Sequence, residues 1–89
     1  MYLHLGKEVM VPFSCIIGVF DLENTSQSKK TRDFLASQEK QKCVINVSEE
    51  LPRSFIVCCQ DRKTRTYISQ ISPATLNKRL NSGYSDNKV

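Results

Sequence analysis

Alternating apolar and polar residues open the chain. Residues 2–5 and 8–11 each place apolar side chains at every second position, the pattern of a half-buried strand. The two-residue loop Gly6-Lys7 between them predicts a β-hairpin with a type II′ turn. Residues 13–20 are apolar at both odd and even positions, which predicts a strand covered on both faces.

The pattern then changes to a helical period. Residues 21–28 are polar turn material, and residues 28–41 carry a narrow apolar stripe that predicts a surface helix. Residues 43–47 predict a short strand, and residues 48–53 predict a loop because they contain a proline. The candidate N-caps of the helix are Asn24, Thr25 and Ser26.

The last third predicts a second hairpin and a second helix. Residues 54–60 are apolar on both faces, residues 61–64 form a turn, and residues 65–71 return as a strand. A helix then begins at Ser72-Pro73 and ends at residues 81–83. We therefore expect one domain over residues 1–83 and a flexible tail over residues 84–89.

This order of elements predicts the α+β class, with a small, largely antiparallel sheet and two short helices. Two of the strands are apolar on both faces, and two short helices are too few to cover them. We therefore expect further copies of the chain to bury part of the sheet, in a homo-oligomer.

Charge is spread unevenly along the chain. Of 89 residues, 13 are Lys or Arg and 9 are Asp or Glu, which gives a net charge of +4. Residues 29–65 hold nine of the bases and five of the acids, a local balance of +4. A basic middle fits a polyanionic partner such as nucleic acid, although an ordinary solvated surface can carry the same charge.

Several classes of protein are excluded. No apolar run is long enough to span a membrane and no signal peptide is recognisable, so we expect a cytoplasmic protein without a membrane partner. The four cysteines show no C-x-x-C spacing, and we expect them to be reduced packing residues.

The sequence contains little that supports catalysis or metal binding. His4 is the one histidine and lies on the polar face of the first strand, and no catalytic motif occurs. Cys58 and Cys59 are adjacent in a strand, so their side chains point to opposite faces and cannot easily share an ion. We expect no catalytic residue, no metal, no cofactor and no small-molecule substrate.

Basic residues form two clusters and one outlier, which are the candidate phosphate contacts. One cluster lies at the predicted turn of residues 61–64 and the other at the start of the first helix. Contacts of this kind neutralise charge and carry little base information. The residues are Arg62, Lys63 and Arg65 at the turn, Lys29, Lys30 and Arg32 at the helix, and Arg53 before the strand.

Four segments resemble the RemB branch of the extracellular matrix regulatory RemA/RemB family of spore-forming Gram-positive bacteria. They read MYLHLGKEVMV, IIGVFDLENTS, VINVSEELPRSFIV and YISQISPATLNKRL. The resemblance covers roughly residues 1–81. It implies a cytoplasmic DNA-binding regulator with a fold similar to LytTR-type domains, which assembles into a ring and acts on biofilm matrix genes.

The chain departs from the family in its arginine loop, which reads Arg-Arg-Thr-Arg in RemA-type members. Here the loop reads Glu50-Leu51-Pro52-Arg53, so only Arg53 matches, and Cys15 stands where the family carries a further base. Two alternative functions are compatible with this loop. One is a DNA-binding transcriptional regulator that contacts phosphates first through Arg53 and then through the turn cluster. The other is an oligomeric protein-interaction module that has lost direct DNA contact.

Overall fold

Six strands and three helices account for most of the part of the chain that the structure describes. The structure is a computed structural model, and it describes residues 1–25 and 28–86. The strands are β1 (Tyr2–Gly6), β2 (Val9–Pro12), β3 (Ile16–Asp21), β4 (Val44–Asn46), β5 (Ser54–Gln60) and β6 (Lys63–Ser69). The α-helices are α1 (Leu22–Thr25), α2 (Lys29–Lys40) and α3 (Pro73–Asp86), and Phe13–Cys15, predicted as the start of a strand, form a short 3-10 helix before β3. In these two ranges no helix has the length and apolar character needed to cross a bilayer.

The N-terminal hairpin pairs β1 with β2 in antiparallel fashion and buries its apolar face. Its loop is Lys7-Glu8, one residue later than the predicted Gly6-Lys7, because Gly6 is still paired with Val9. Gly6 has a φ of 130°, and a Cβ there would lie 2.9 Å from the Gln70 side chain. Only glycine combines that backbone conformation with that close approach.

The main sheet has the strand order β3-β5-β6-β4. β5 is antiparallel to both β3 and β6, whereas β4 runs parallel to β6. The predicted α+β class is therefore confirmed, with a sheet that is largely but not wholly antiparallel.

Both faces of the sheet are covered within one chain. The N-terminal hairpin and α3 pack on the face that carries Ile56 and Cys58. On the other face Phe20 stacks on Phe55, with ring centroids 5.0 Å apart. A hydrogen bond also links α2 to this face, because the Thr66 hydroxyl donates to Gln38 Oε1 at 3.0 Å.

β5 is consequently buried from Ser54 to Cys58 by its own chain. Within the chain itself, the N-terminal hairpin acts as the covering layer of this strand. β3 differs, since its residues are only half-buried and Ile17 is 63% exposed. For β3, burial by another copy stays a prediction.

The helix boundaries depart from the predicted ones. The segment predicted as a turn contains α1, where the Asp21 carboxylate accepts a hydrogen bond from the Glu23 N–H at 2.9 Å. The residue before α2 is Ser28, so neither Asn24 nor Thr25 caps that helix, and Ser26 lies outside the described residues.

The last helix begins as predicted, because Ser72 Oγ accepts from the Thr75 N–H at 3.2 Å. α3 continues to Asp86, past residues 81–83 where its end was predicted. Of the predicted tail, residues 87–89 lie outside the described part of the chain.

Candidate nucleic-acid interface

A two-residue turn presents the first cluster of cations. Asp61 and Arg62 form the loop between β5 and β6, and both have positive φ, 54° and 64°. Two consecutive left-handed residues are the geometry of a type I′ turn, whose twist matches that of a hairpin. The Arg62 side chain is therefore held at the exposed tip.

Strand periodicity places the next two cations on one face of β6. Lys63 and Arg65 are two residues apart, so they share a face at a spacing of about 7 Å. Both are exposed, and both line a small cavity that also contains Cys15 and Cys58. The structure thus brings Arg62, Lys63 and Arg65 together, as their sequence spacing predicted.

A fourth cation, Lys42, joins this group and was not predicted. The parallel register pairs Val44 with Thr66, and the Thr66 N–H donates to the Cys43 carbonyl at 2.9 Å. Lys42, one residue earlier, therefore lies at the same end of the sheet as Lys63 and is exposed. No local pattern in the sequence predicts this position of Lys42, because the position depends on a parallel pairing between distant segments. We call Lys42, Arg62, Lys63 and Arg65 the cationic end.

Arg53 lies at the opposite end of β5 from the cationic end. Seven residues of strand separate the two ends by roughly 20 Å. The backbone of Arg53 is fixed, since its N–H donates to the Ser69 carbonyl at 2.9 Å and its carbonyl accepts from the Leu22 N–H at 3.1 Å. Its side chain is exposed, and its loop also carries the exposed carboxylates Glu49 and Glu50.

The helix cluster is separate from both. Lys29, Lys30 and Arg32 are exposed at the start of α2. Lys30 lines a cavity of about 190 Å³ together with Phe20, Phe34 and Phe55. The seven predicted phosphate contacts therefore fall into three groups, and only the turn group gains a neighbour from the fold.

Two side chains that could take part in acid–base chemistry, Cys58 and His4, have defined surroundings. Burial, and secondarily the neighbouring Cys15, raises the pKa of the Cys58 thiol from 9.0 to about 11, so it is neutral at pH 7. His4 Nε2 is engaged with the Lys7 carbonyl. Over residues 1–25 and 28–86, no group of three or more His, Cys, Asp or Glu side chains is arranged to hold a metal ion.

Comparison with known proteins adds a family match over almost the whole fold. The RemA-like family model, described as extracellular matrix regulatory protein A-like, matches residues 2–80. The extracellular matrix regulatory protein B of Bacillus subtilis (strain 168) is 37% identical to the chain over 79 residues. That alignment covers 89% of each protein. The residues matched by the family model include all six strands, α2 and the first half of α3.

Proposed function

Because this chain belongs to the RemA-like family of extracellular matrix regulatory proteins and is a RemB-like member of it, we propose that it is a transcriptional regulator that binds duplex DNA in the cytoplasm. Its relative carries the name of a regulatory protein and not of an enzyme. The proposed activity is accordingly non-enzymatic and needs no cofactor.

The cationic end is the observation that carries this proposal. Four exposed Lys and Arg residues lie at this end of the sheet, and Asp61 is the acidic residue of the same turn. Cations placed on a hairpin tip and a strand end can reach phosphate oxygens, whereas base reading requires side chains aligned within a groove. The binding is thus salt-dependent and weakly selective for sequence.

Arg53 and the helix cluster contribute less in this proposal. Arg53 shares its loop with Glu49 and Glu50, so the local balance there is negative. Lys29, Lys30 and Arg32 lie at the N-terminus of α2, where the helix dipole repels a cation instead of holding it in place. They remain secondary phosphate contacts of a long duplex.

Self-association is the second part of the proposal. β3 is an edge strand of the main sheet and carries Ile17, which is 63% exposed. The outer face of the N-terminal hairpin exposes Tyr2 and Met10 to a similar degree. Unpaired edges and exposed apolar side chains favour association, and a homo-oligomer repeats the cationic end once per copy. A ring and a LytTR-like fold, which the family resemblance implies, stay predictions.

Fluorescence anisotropy with a labelled duplex of mixed sequence tests the DNA-binding part. At about 50 mM salt, where phosphate contacts are strong, we expect binding that weakens steeply as salt is raised. Failure of the folded protein to bind at that salt would instead support a protein-interaction module without DNA contact, a function that the acidic loop at Glu49 and Glu50 favours. In that case, the double substitution Glu50→Arg with Leu51→Arg should create binding.

A further inference from the structure

Two cysteines meet beneath the cationic end. Cys15 directly precedes Ile16, and the Cα partner of Ile16 across the β3–β5 pair is Cys58. Both cysteines are free thiols, Cys58 belongs to the packed core and Cys15 packs against that core, and both line one cavity of about 10 Å³. We infer that Cys15 and Cys58 are a redox modification site, which forms an intramolecular disulfide when the protein meets hydrogen peroxide.

The backbone register sets an upper limit on the separation of the two cysteines. Paired Cα atoms lie about 5 Å apart and neighbours in sequence 3.8 Å apart, so the Cα atoms of Cys15 and Cys58 are at most about 9 Å apart, whereas a disulfide closes below about 7 Å. The register shifts between Ile16 and Gly18, on an edge strand. A bulged edge strand can take up the small displacement that remains.

A second observation shows that the two thiols influence each other. The raised pKa of Cys58 has two causes, burial first and then the proximity of Cys15. That electrostatic effect agrees with the two thiols lining one cavity. Lys63 and Arg65 line the same cavity. Cys15 is half-buried whereas Cys58 is buried, so Cys15 is the thiol that peroxide reaches more readily.

The other two cysteines are placed elsewhere. Cys59 is exposed, and because it follows Cys58 in a strand its side chain points to the opposite face of the sheet. Cys43 precedes β4, where its thiol donates to the Gln41 carbonyl at 3.6 Å. Neither lines the cavity that Cys15 and Cys58 share.

The chemistry balances with one peroxide per pair. The Cys15 thiolate attacks a peroxide oxygen, the O–O bond breaks, and the departing oxygen leaves as water after it takes up a proton. Cys15 is then a sulfenic acid. The Cys58 sulfur attacks the Cys15 sulfur, the S–O bond breaks, and the hydroxide leaves as water with the Cys58 proton. Two thiols lose two electrons and two protons, and hydrogen peroxide is reduced to two waters.

Peptide mapping tests this without any DNA. The folded protein is treated with hydrogen peroxide, remaining thiols are blocked with N-ethylmaleimide, and trypsin is applied without reductant. Cys15 lies in the tryptic peptide of residues 8–29, Cys43 in that of residues 43–53, and Cys58 and Cys59 in that of residues 54–62. We expect the 8–29 peptide linked to the 54–62 peptide to exceed any other pair by about tenfold, because fixed neighbours have a high effective concentration.

Single substitutions then assign the sulfur atoms. Cys59→Ser and Cys43→Ser, the matched controls, keep the 8–29 to 54–62 link, whereas Cys15→Ser and Cys58→Ser lose it. Three results would overturn the proposal. The link could survive in Cys58→Ser, it could be lost in Cys59→Ser, or it could form only between two chains. The proposal would also be overturned by wild-type protein in which Cys15 is oxidised beyond the sulfenic acid and no link forms. Because the readout is a peptide mass, it stands apart from the proposed binding of DNA.

Discussion

Replacing Lys63 and Arg65 together by glutamine removes half of the cationic end without touching the core. Both side chains are exposed on β6, so the fold is retained. Each phosphate contact releases about 0.9 of a counterion, and the four cations of one bound protomer therefore give a slope of log K against log salt of about −3.6. The double variant keeps two cations, and its slope falls to about −1.8.

These slopes convert into measurable losses of affinity. Between about 50 and 200 mM salt the wild type loses about 150-fold in affinity per bound protomer, and the double variant loses about 12-fold. Fluorescence anisotropy on a labelled duplex at four or five salt concentrations resolves that difference. The effect multiplies when several protomers of an oligomer contact the same duplex.

A second double variant with the same change in net charge provides the control. Lys7→Gln with Lys78→Gln also lowers the formal charge from +4 to +2, but Lys7 lies in the loop of the N-terminal hairpin and Lys78 on α3, and neither belongs to the cationic end. We expect the control to keep the wild-type slope. If both variants reduce the slope equally, net charge alone governs binding and the cationic end has no special role.

Three further predictions concern stability and assembly. Thr66→Val leaves the buried Gln38 amide oxygen unpaired and should lower the free energy of unfolding by about 1–3 kcal/mol in urea titrations, so a change near zero contradicts the assigned hydrogen bond. The Cys58 pKa is higher in the folded chain (about 11) than its ordinary 9.0, so the neutral thiol stabilises the fold fully below pH 9. On the order of 2–3 kcal/mol is lost as the pH rises through 11, and Cys58→Ala should flatten that part of the pH profile. Ile17→Asp adds a charge to the exposed edge of β3 and should shift sedimentation velocity profiles towards monomer, and an unchanged profile excludes this edge from the interface.

The strands were largely predictable because their signals are local. The alternation in residues 2–11 and the two-sided apolar run of residues 54–60 each follow from side-chain periodicity within one segment, and both strand pairs are present. The N-cap of α3 was equally visible, since Ser72 and Pro73 act within one turn of helix. Element boundaries were predicted less exactly where two adjacent loop positions differ little in energy, as at the loop after Gly6.

Long-range packing could not be predicted in the same way. Nothing within residues 2–11 shows that this hairpin lies over Ile56 and Cys58, so the sequence did not reveal which part of the sheet the chain covers by itself. The parallel pairing of β4 with β6 joins segments about twenty residues apart in sequence, and only that pairing places Lys42 at the same end of the sheet as Lys63. The turn cluster was visible because its members are adjacent, whereas the fourth cation was not.

Lysine protection measures the DNA contact of the cationic end most directly. The folded protein is acetylated in brief pulses with and without a saturating duplex at low salt, and each lysine is quantified by peptide mass spectrometry. With DNA at about ten times its Kd, some 90% of sites are occupied and the acetylation of Lys42 and Lys63 should slow by about tenfold, while Lys7 and Lys78 keep their rates. Protection of Lys7 and Lys78 with Lys42 and Lys63 left reactive would contradict the proposed interface.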